Sequence, residues 1–153
     1  MEEEKVKNEA NVLRGKNSRK KGGEFERKVR KDLEQQGWII DKWTNNFDLE
    51  KKEITTAKRK FNPFMKVFSI GTGFPDFICF KRIGENFDII FVEVKRTGNL
   101  DKDEKNKAKG YLDKKIVNKI LIAMEIEGEK KKEIKYIDIR EKYPKLFNID
   151  NKE

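Results

Sequence analysis

Residues 71–100 read GTGFPDFICFKRIGENFDIIFVEVKRTGNL, and their pattern decides how the rest of the chain is read. GTGF has the composition of a tight turn. Pro75 stands just ahead of an apolar run over residues 76–81, where its missing amide hydrogen does least harm. Gly84, Glu85 and Asn86 punctuate a second turn. Residues 87–96 then form a long strand whose Phe, Ile and Val content predicts burial on both faces. Strand side chains alternate, so Phe87, Ile89, Phe91, Glu93 and Lys95 share one face. If the two strands pair as an antiparallel hairpin, Asp76 opens one beside the place where Glu93 and Lys95 close the other. Two carboxylates and a lysine then converge on one edge of a sheet. Carboxylates at that separation repel, and a divalent cation relieves the repulsion. The competing reading is that the strand simply emerges into water after Val92, because short ExK strings are common in a chain rich in both residues.

Working upstream, Gly22-Gly23 opens the segment EFERKVRKDLEQQG, with Phe25, Val29 and Leu33 recurring every four residues and Gly37 as terminator, which predicts a helix. Glu26 lies about 100° from Phe25 on that helix and borders the buried stripe. Asp32 falls on the stripe as well, in the last turn, while Glu24 complements the helix dipole. A first strand is expected over residues 38–43. Residues 44–70 form a long excursion with a hairpin or extra strand, a turn at Asn62-Pro63 and a short apolar run over residues 65–70. Its KRKFNPF stretch pairs bases with aromatic rings, the composition of a DNA-contacting loop. A solvated loop with a phenylalanine tucked under it fits equally well.

Downstream, residues 101–116 predict a helix with Ala108, Tyr111, Leu112 and Ile116 on one face, and Asp101-x-x-Glu104 forms an acceptable capping box. Two strands follow, over residues 119–126 and 133–139. The order of elements suits an α/β fold, a mixed sheet with helices on both faces. Residues 1–15 lack a sustained apolar period and read as a frayed or weakly helical arm. The expected division is a flexible basic arm over 1–18, one domain over 19–140 and a tail over 141–153.

Composition narrows the chemistry. The chain has 153 residues, 35% apolar and 42% charged, so its core is small for one ordinary domain. Lys and Arg exceed Asp and Glu by 37 to 28, a net +9 that favours a polyanionic partner. There is no histidine, which excludes mechanisms built on a His base or His metal ligands. Any metal must be a hard ion held by carboxylates, Mg²⁺ or Mn²⁺. The single Cys79 sits in an apolar run and reads as a core residue, offering no disulfide. No stretch has the length of a membrane span and MEEEK is unlike a signal peptide, so a cytoplasmic location and no membrane partner are expected.

Taken together, KGGEFERKVRKDLEQQGW, GTGFPDFICF and FVEVKRTGNL resemble the PD-(D/E)xK nuclease superfamily. They are most similar to its archaeal Holliday-junction resolvase-like branch, with some likeness to the virus-type replication-repair nucleases. The resemblance covers roughly residues 19–126 and implies a restriction-endonuclease-like fold and metal-dependent endonucleolytic hydrolysis of DNA phosphodiesters in repair or recombination. It places the helix acid at Glu26, the middle acid at Asp76, and the third acid and lysine at Glu93 and Lys95. Asp76 and Glu93 would hold the metal with the Val94 carbonyl, and Glu26 would orient the attacking water or assist a second ion. Lys95 would activate the water and stabilise charge on the phosphate. The stretch between Glu26 and Asp76 is longer than in compact resolvases, so the substrate need not carry over. The virus-type branch often has Gln at the position of Glu104, which stays outside the catalytic set as a capping residue.

DNA contacts are expected from Arg14, Lys16, Arg19, Lys20 and Lys21, from Lys58, Arg59 and Lys60, and from Arg96. The resemblance further implies branched or distorted DNA and a homodimer. Tyr136, Tyr143, Leu146 and Phe147 are its candidate surface unless they cap the domain's own core. The alternative is a DNA-binding module that keeps the fold without catalysis.

Overall fold

The computed structural model describes residues 1–71 and 73–149. Thr72 of the expected GTGF turn and residues 150–153 of the expected tail lie outside them. The chain is mixed α/β. A long helix, α1 (Glu2–Gln35), is followed by strand β1 (Ile39–Lys42) and two small hairpins, β2 (Asn46–Asp48) with β3 (Glu53–Thr55) and β4 (Arg59–Asn62) with β5 (Val67–Ile70). Then come β6 (Phe77–Ile83), β7 (Asn86–Val94), α2 (Lys102–Asp113), β8 (Ile120–Glu127), β9 (Lys132–Asp138), a short α3 (Ile139–Lys142) and a 3-10 turn, Pro144–Phe147. The main sheet runs β1-β6-β7-β8-β9. All its pairs are antiparallel except β7 with β8, which α2 connects as a parallel crossover.

The pleat sorts the core into two clusters. Phe25, Val29 and Leu33 of α1 pack with Ile40, Phe77, Cys79, Ile90, Val92 and Ala123. Ala108, Tyr111 and Leu112 of α2 pack with Phe91, Ile120 and Ile122. Along β7, Ile90 and Val92 thus go to one cluster and Phe91 to the other, as a period of two requires. Cys79 is fully buried, as its apolar surroundings predict. Gly37 has φ +90, the left-handed conformation a helix terminator needs, and the Trp38 amide returns to the Leu33 carbonyl.

Several expectations need correcting. Burial of β7 on both faces holds only for Ile90–Glu93, with Phe87 and Ile89 exposed. The reason is the register: β8 joins β7 only from Phe91 onward, so the first half projects as a two-stranded ribbon. α2 stops at Asp113, and Ile116 lies beyond it and outside the buried stripe. The excursion over residues 44–70 is two hairpins, and Asn62 closes the second by accepting from the amides of Phe64 and Met65. Of the four candidate dimer residues, Tyr136, Tyr143 and Phe147 are half-buried against the domain's own core, the other outcome the sequence left open. Tyr143 and Phe147 pack on the α2 cluster, Tyr143 accepts from the Leu100 amide, and the Tyr136 hydroxyl donates to Asp32 at 2.6 Å. That last bond explains why an acid is tolerated on the buried stripe of α1.

The N-terminal arm is helical throughout. α1 passes through Gly15, Gly22 and Gly23 without a break, although residues 1–22 are exposed along their whole length. Glycine in a helix costs about 1 kcal/mol relative to alanine, and a methyl at Gly22 would meet nothing within 4 Å. Replacing Gly22 and Gly23 by Ala should therefore increase helical circular dichroism and amide protection across residues 14–24, with no loss in Tm. Lower helicity in that variant would show that the chain needs a break there.

Candidate active site

The β6–β7 ladder pairs Phe77 with Val92, so Asp76 and Glu93 stand next to each other at its end. Two backbone amides lock them. The Asp76 amide donates to Glu93 Oε2 at 3.1 Å, and the Val94 amide donates to Asp76 Oδ2 at 2.8 Å. Among the described residues Glu93 is the one charged residue that is buried, 5% exposed. Burial first, and then the neighbouring Asp76 charge, push its carboxyl up to about 9, despite the opposing pull of Lys95. Asp76 is also raised, by burial and by the charge of Glu26, while the Val94 amide and Lys42 pull the other way. Both carboxyls of the pair are thus held above the ordinary carboxylate range, chiefly by burial.

Lys95 continues the same face. Its Nζ lies 2.5 Å from Glu104 Oε1 and 3.8 Å from Glu93 Oε1. Burial alone would lower its pKa, but Glu104, Glu93 and Asp76 together outweigh burial and raise it. Lys95 is therefore a fixed cation and a poor proton acceptor. Glu104 divides its two oxygens between tasks: Oε2 accepts from the Asp101 amide in the capping box, and Oε1 holds Lys95. Reading Glu104 as a cap only was thus half of its role.

Glu26 reaches the cluster from α1. It pairs with Lys42 Nζ at 2.8 Å, and Lys42, opposite Phe77 on β1, also acts on Asp76. Lys42 is missed by motif reading. Its signal was positional: two residues after buried Ile40, it continues the side of β1 that meets α1. Among the described residues no three acidic, Cys or His side chains gather closely enough to form a complete metal cage. Nor does any buried side-chain nitrogen or oxygen among them lack a partner. Val94 engages the cluster through its amide, which donates to Asp76.

The turn before Asp76 is held by close packing. A methyl group at Gly73 would collide with the Asn45 carbonyl oxygen and with the backbone of Trp43 and Thr44. The Phe74 amide donates to Asn45 and the Trp43 amide donates to Asp76. Trp43 Nε1 donates to the Tyr111 hydroxyl, which itself donates to the Phe74 carbonyl at 2.8 Å. Gly73 is thus required by the close approach of the backbone at residues 43–45.

The expected DNA-contacting cations are divided. Lys21 and Arg96 meet at a cavity of about 300 Å³ that Lys28, Lys132, Glu24, Phe25 and Glu125 also line, with Arg96 Nε 3.6 Å from Glu125. Arg14, Lys16, Arg19 and Lys20 lie exposed on α1; at about 100° per residue, Lys16, Arg19 and Lys20 share one side of the helix and Arg14 lies on the other. Lys58 precedes β4, and Arg59 and Lys60 lie on it. Comparison with family profiles, with curated proteins and with solved structures finds no match.

Two outcomes follow from this geometry. A carboxyl raised from 4.5 to about 9 favours the fold below pH 4.5, and that contribution is lost as pH climbs toward 9. Glu93→Gln keeps an acceptor for the Asp76 amide and removes the charge. In EDTA its Tm should exceed wild type at about pH 8, by roughly 2–4 °C per kcal/mol relieved, and converge with it in acid. Parallel pH profiles would mean that Glu93 ionises normally in the folded state. Gly73→Ala should displace Asp76 and cost more stability than an ordinary surface Gly→Ala change, as read from paired thermal melts.

Proposed function

We propose that this chain is a divalent-metal-dependent DNA endonuclease of the PD-(D/E)xK type. One observation carries the reading. A buried Glu93 and a half-buried Asp76, tied to each other's strands by the Asp76 and Val94 amides and both raised first by burial, stand beside a lysine fixed as a cation. Such a pair is costly to hold without a positive partner. The donors are all hard oxygens, which fits Mg²⁺ or Mn²⁺. Mg²⁺ commonly takes one or two carboxylates and completes its shell with water and substrate phosphate, so a full protein cage is not required. The division of the core between α1 and α2 further supports a restriction-endonuclease-like sheet flanked by a helix on each face.

When bound, the ion would neutralise the carboxylate pair and acidify the attacking water. Asp76 and Glu93 would hold it, and Glu93 would release its proton on doing so. Lys95, positioned by Glu104, would stay positive against the charge that builds on the phosphate. Glu26, reached through Lys42, would orient water at the rim. The high net charge and the cations of α1 would supply the non-specific grip on DNA.

A second reading, a DNA-binding module without catalysis, draws on the mutual satisfaction of these charges: Lys42 with Glu26, Lys95 with Glu104. Purified protein incubated with branched, nicked and linear DNA, with and without Mg²⁺, separates the two. New ends that require Mg²⁺ are expected. Asp76→Asn should reduce cleavage at least a hundredfold while DNA binding survives and the Mn²⁺-induced rise in Tm is lost. Lys95→Ala should slow cleavage but keep that rise. Undiminished cleavage by Asp76→Asn would falsify the site assignment.

A further inference from the structure

The β4–β5 hairpin leaves in water the side chains a small core would most readily bury. Phe64 is 97% exposed, Met65 71%, Phe68 69% and Phe61 54%. Its strands pair only with each other. Register puts Phe61 opposite Phe68 and Arg59 opposite Ile70, so these four share one face, and the two rings sit 5.1 Å apart. Phe64 and Met65 form the tip, with Lys66 beside them. Contiguous exposed apolar surface of this kind marks a binding site in a soluble domain.

Charge identifies the occupant. From Ile54 to Pro75 the sequence contains Lys58, Arg59, Lys60 and Lys66 and no acidic residue. Aromatic faces interleaved with cations, and free of carboxylates, match a nucleic-acid strand whose bases are unpaired: rings stack on bases while lysines and arginines follow the phosphates. A duplex hides its base faces and would use only the cations. The hairpin root also shares a cavity with Asp76. Ile70, Gly71 and Gly73 line a cavity of about 110 Å³ with Lys42, Trp43, Thr44 and Asp76, and the Gly71 amide donates to the Lys58 carbonyl across the root.

We propose that the β4–β5 hairpin is a base-stacking finger for unpaired DNA beside the Asp76–Glu93 site, so that the substrate class is DNA with a single-stranded stretch adjoining the scissile bond. The stacking rests on the hairpin alone; the substrate assignment rests on the nuclease reading above. A base taken on Phe61 and Phe68, or wedged by Phe64, would place the neighbouring phosphate toward the root of the hairpin, where Asp76 lies.

The test uses the full chain and three fluorescent DNA probes of one length: single-stranded, forked, and blunt duplex, each with 2-aminopurine at an unpaired or matched position. Binding is measured in EDTA and cleavage in Mg²⁺. Phe64→Ala, at a side chain that touches almost nothing, and the double variant Phe61→Leu with Phe68→Leu, which keeps apolar bulk, are compared with wild type. Stacking contributes about 1–3 kcal/mol per base, roughly a 5- to 150-fold loss in single-strand and fork affinity for the variants. Blunt-duplex affinity should stay within twofold, and 2-aminopurine quenching by wild type should vanish in the double variant. Equal losses on duplex and single strand, or no loss on either, would overturn the finger. So would a wild-type dimer in analytical ultracentrifugation that Phe64→Ala converts to monomer, because the patch would then be a self-association surface. If stacking is observed but no probe is cut in Mg²⁺, the finger stands and the nuclease reading fails. If every variant cuts forks as wild type does, the nuclease reading stands and the finger fails.

Discussion

Asp76 and Glu93 are pressed together by the register of β6 and β7, and neither strand can slip to separate them. A shift of one residue would turn Ile90 and Val92 away from α1 and Phe91 away from α2, exchanging buried side chains between two fitted clusters. The apolar pattern of the hairpin therefore imposes the proximity of two acids. The surrounding charges answer that constraint. Lys95 offsets Glu93 from the same strand, Glu104 fixes Lys95 from α2, and Lys42 stands between Asp76 and Glu26. Each helix thus contributes one carboxylate at the rim of a pair that the sheet itself creates.

The backbone bears as much of this as the side chains. Each acid accepts an amide from the other's neighbourhood, so neither carboxylate can rotate away without leaving a buried donor unpaired. The turn that delivers Asp76 lies against residues 43–45 so closely that glycine alone fits at position 73. Tyr111 links the two segments through one hydroxyl, bonded to Trp43 on one side and to Phe74 on the other. A site assembled this way is set by the end of β1, the turn before β6 and the core of α2 at once.

Much of this arrangement was legible in the residues. The period-four stripe of Phe25, Val29 and Leu33 and the alternation through Phe91 and Glu93 located α1, β7 and the meeting of Asp76 with Glu93, because both patterns are local. Non-local facts were not legible. Nothing in the spacing of residues 87–96 reveals that β8 pairs with only half of β7, which is why Phe87 and Ile89 are exposed. Pairing partners set by tertiary contact, Lys42 with Glu26 and Tyr136 with Asp32, lay beyond any motif. Gly22-Gly23 misled for a different reason: glycine weakens a helix without forbidding one, and α1 runs through both.

The exposed hairpin is the feature least explained by stability. Burying a phenylalanine contributes about 1.5–3 kcal/mol, and a chain only 35% apolar leaves Phe61, Phe64 and Phe68 largely in water. The two strands meet no other strand, so the fold gains little from their apolar faces. Yet the root is tied on both sides, by the Gly71 amide to Lys58 and by the Phe74 amide to Asn45. A finger anchored at its base and unpacked at its tip is poised to give its apolar surface to something that arrives. The Phe74 amide that anchors it lies two residues before Asp76, so the root of the finger and the carboxylate pair depend on the same turn.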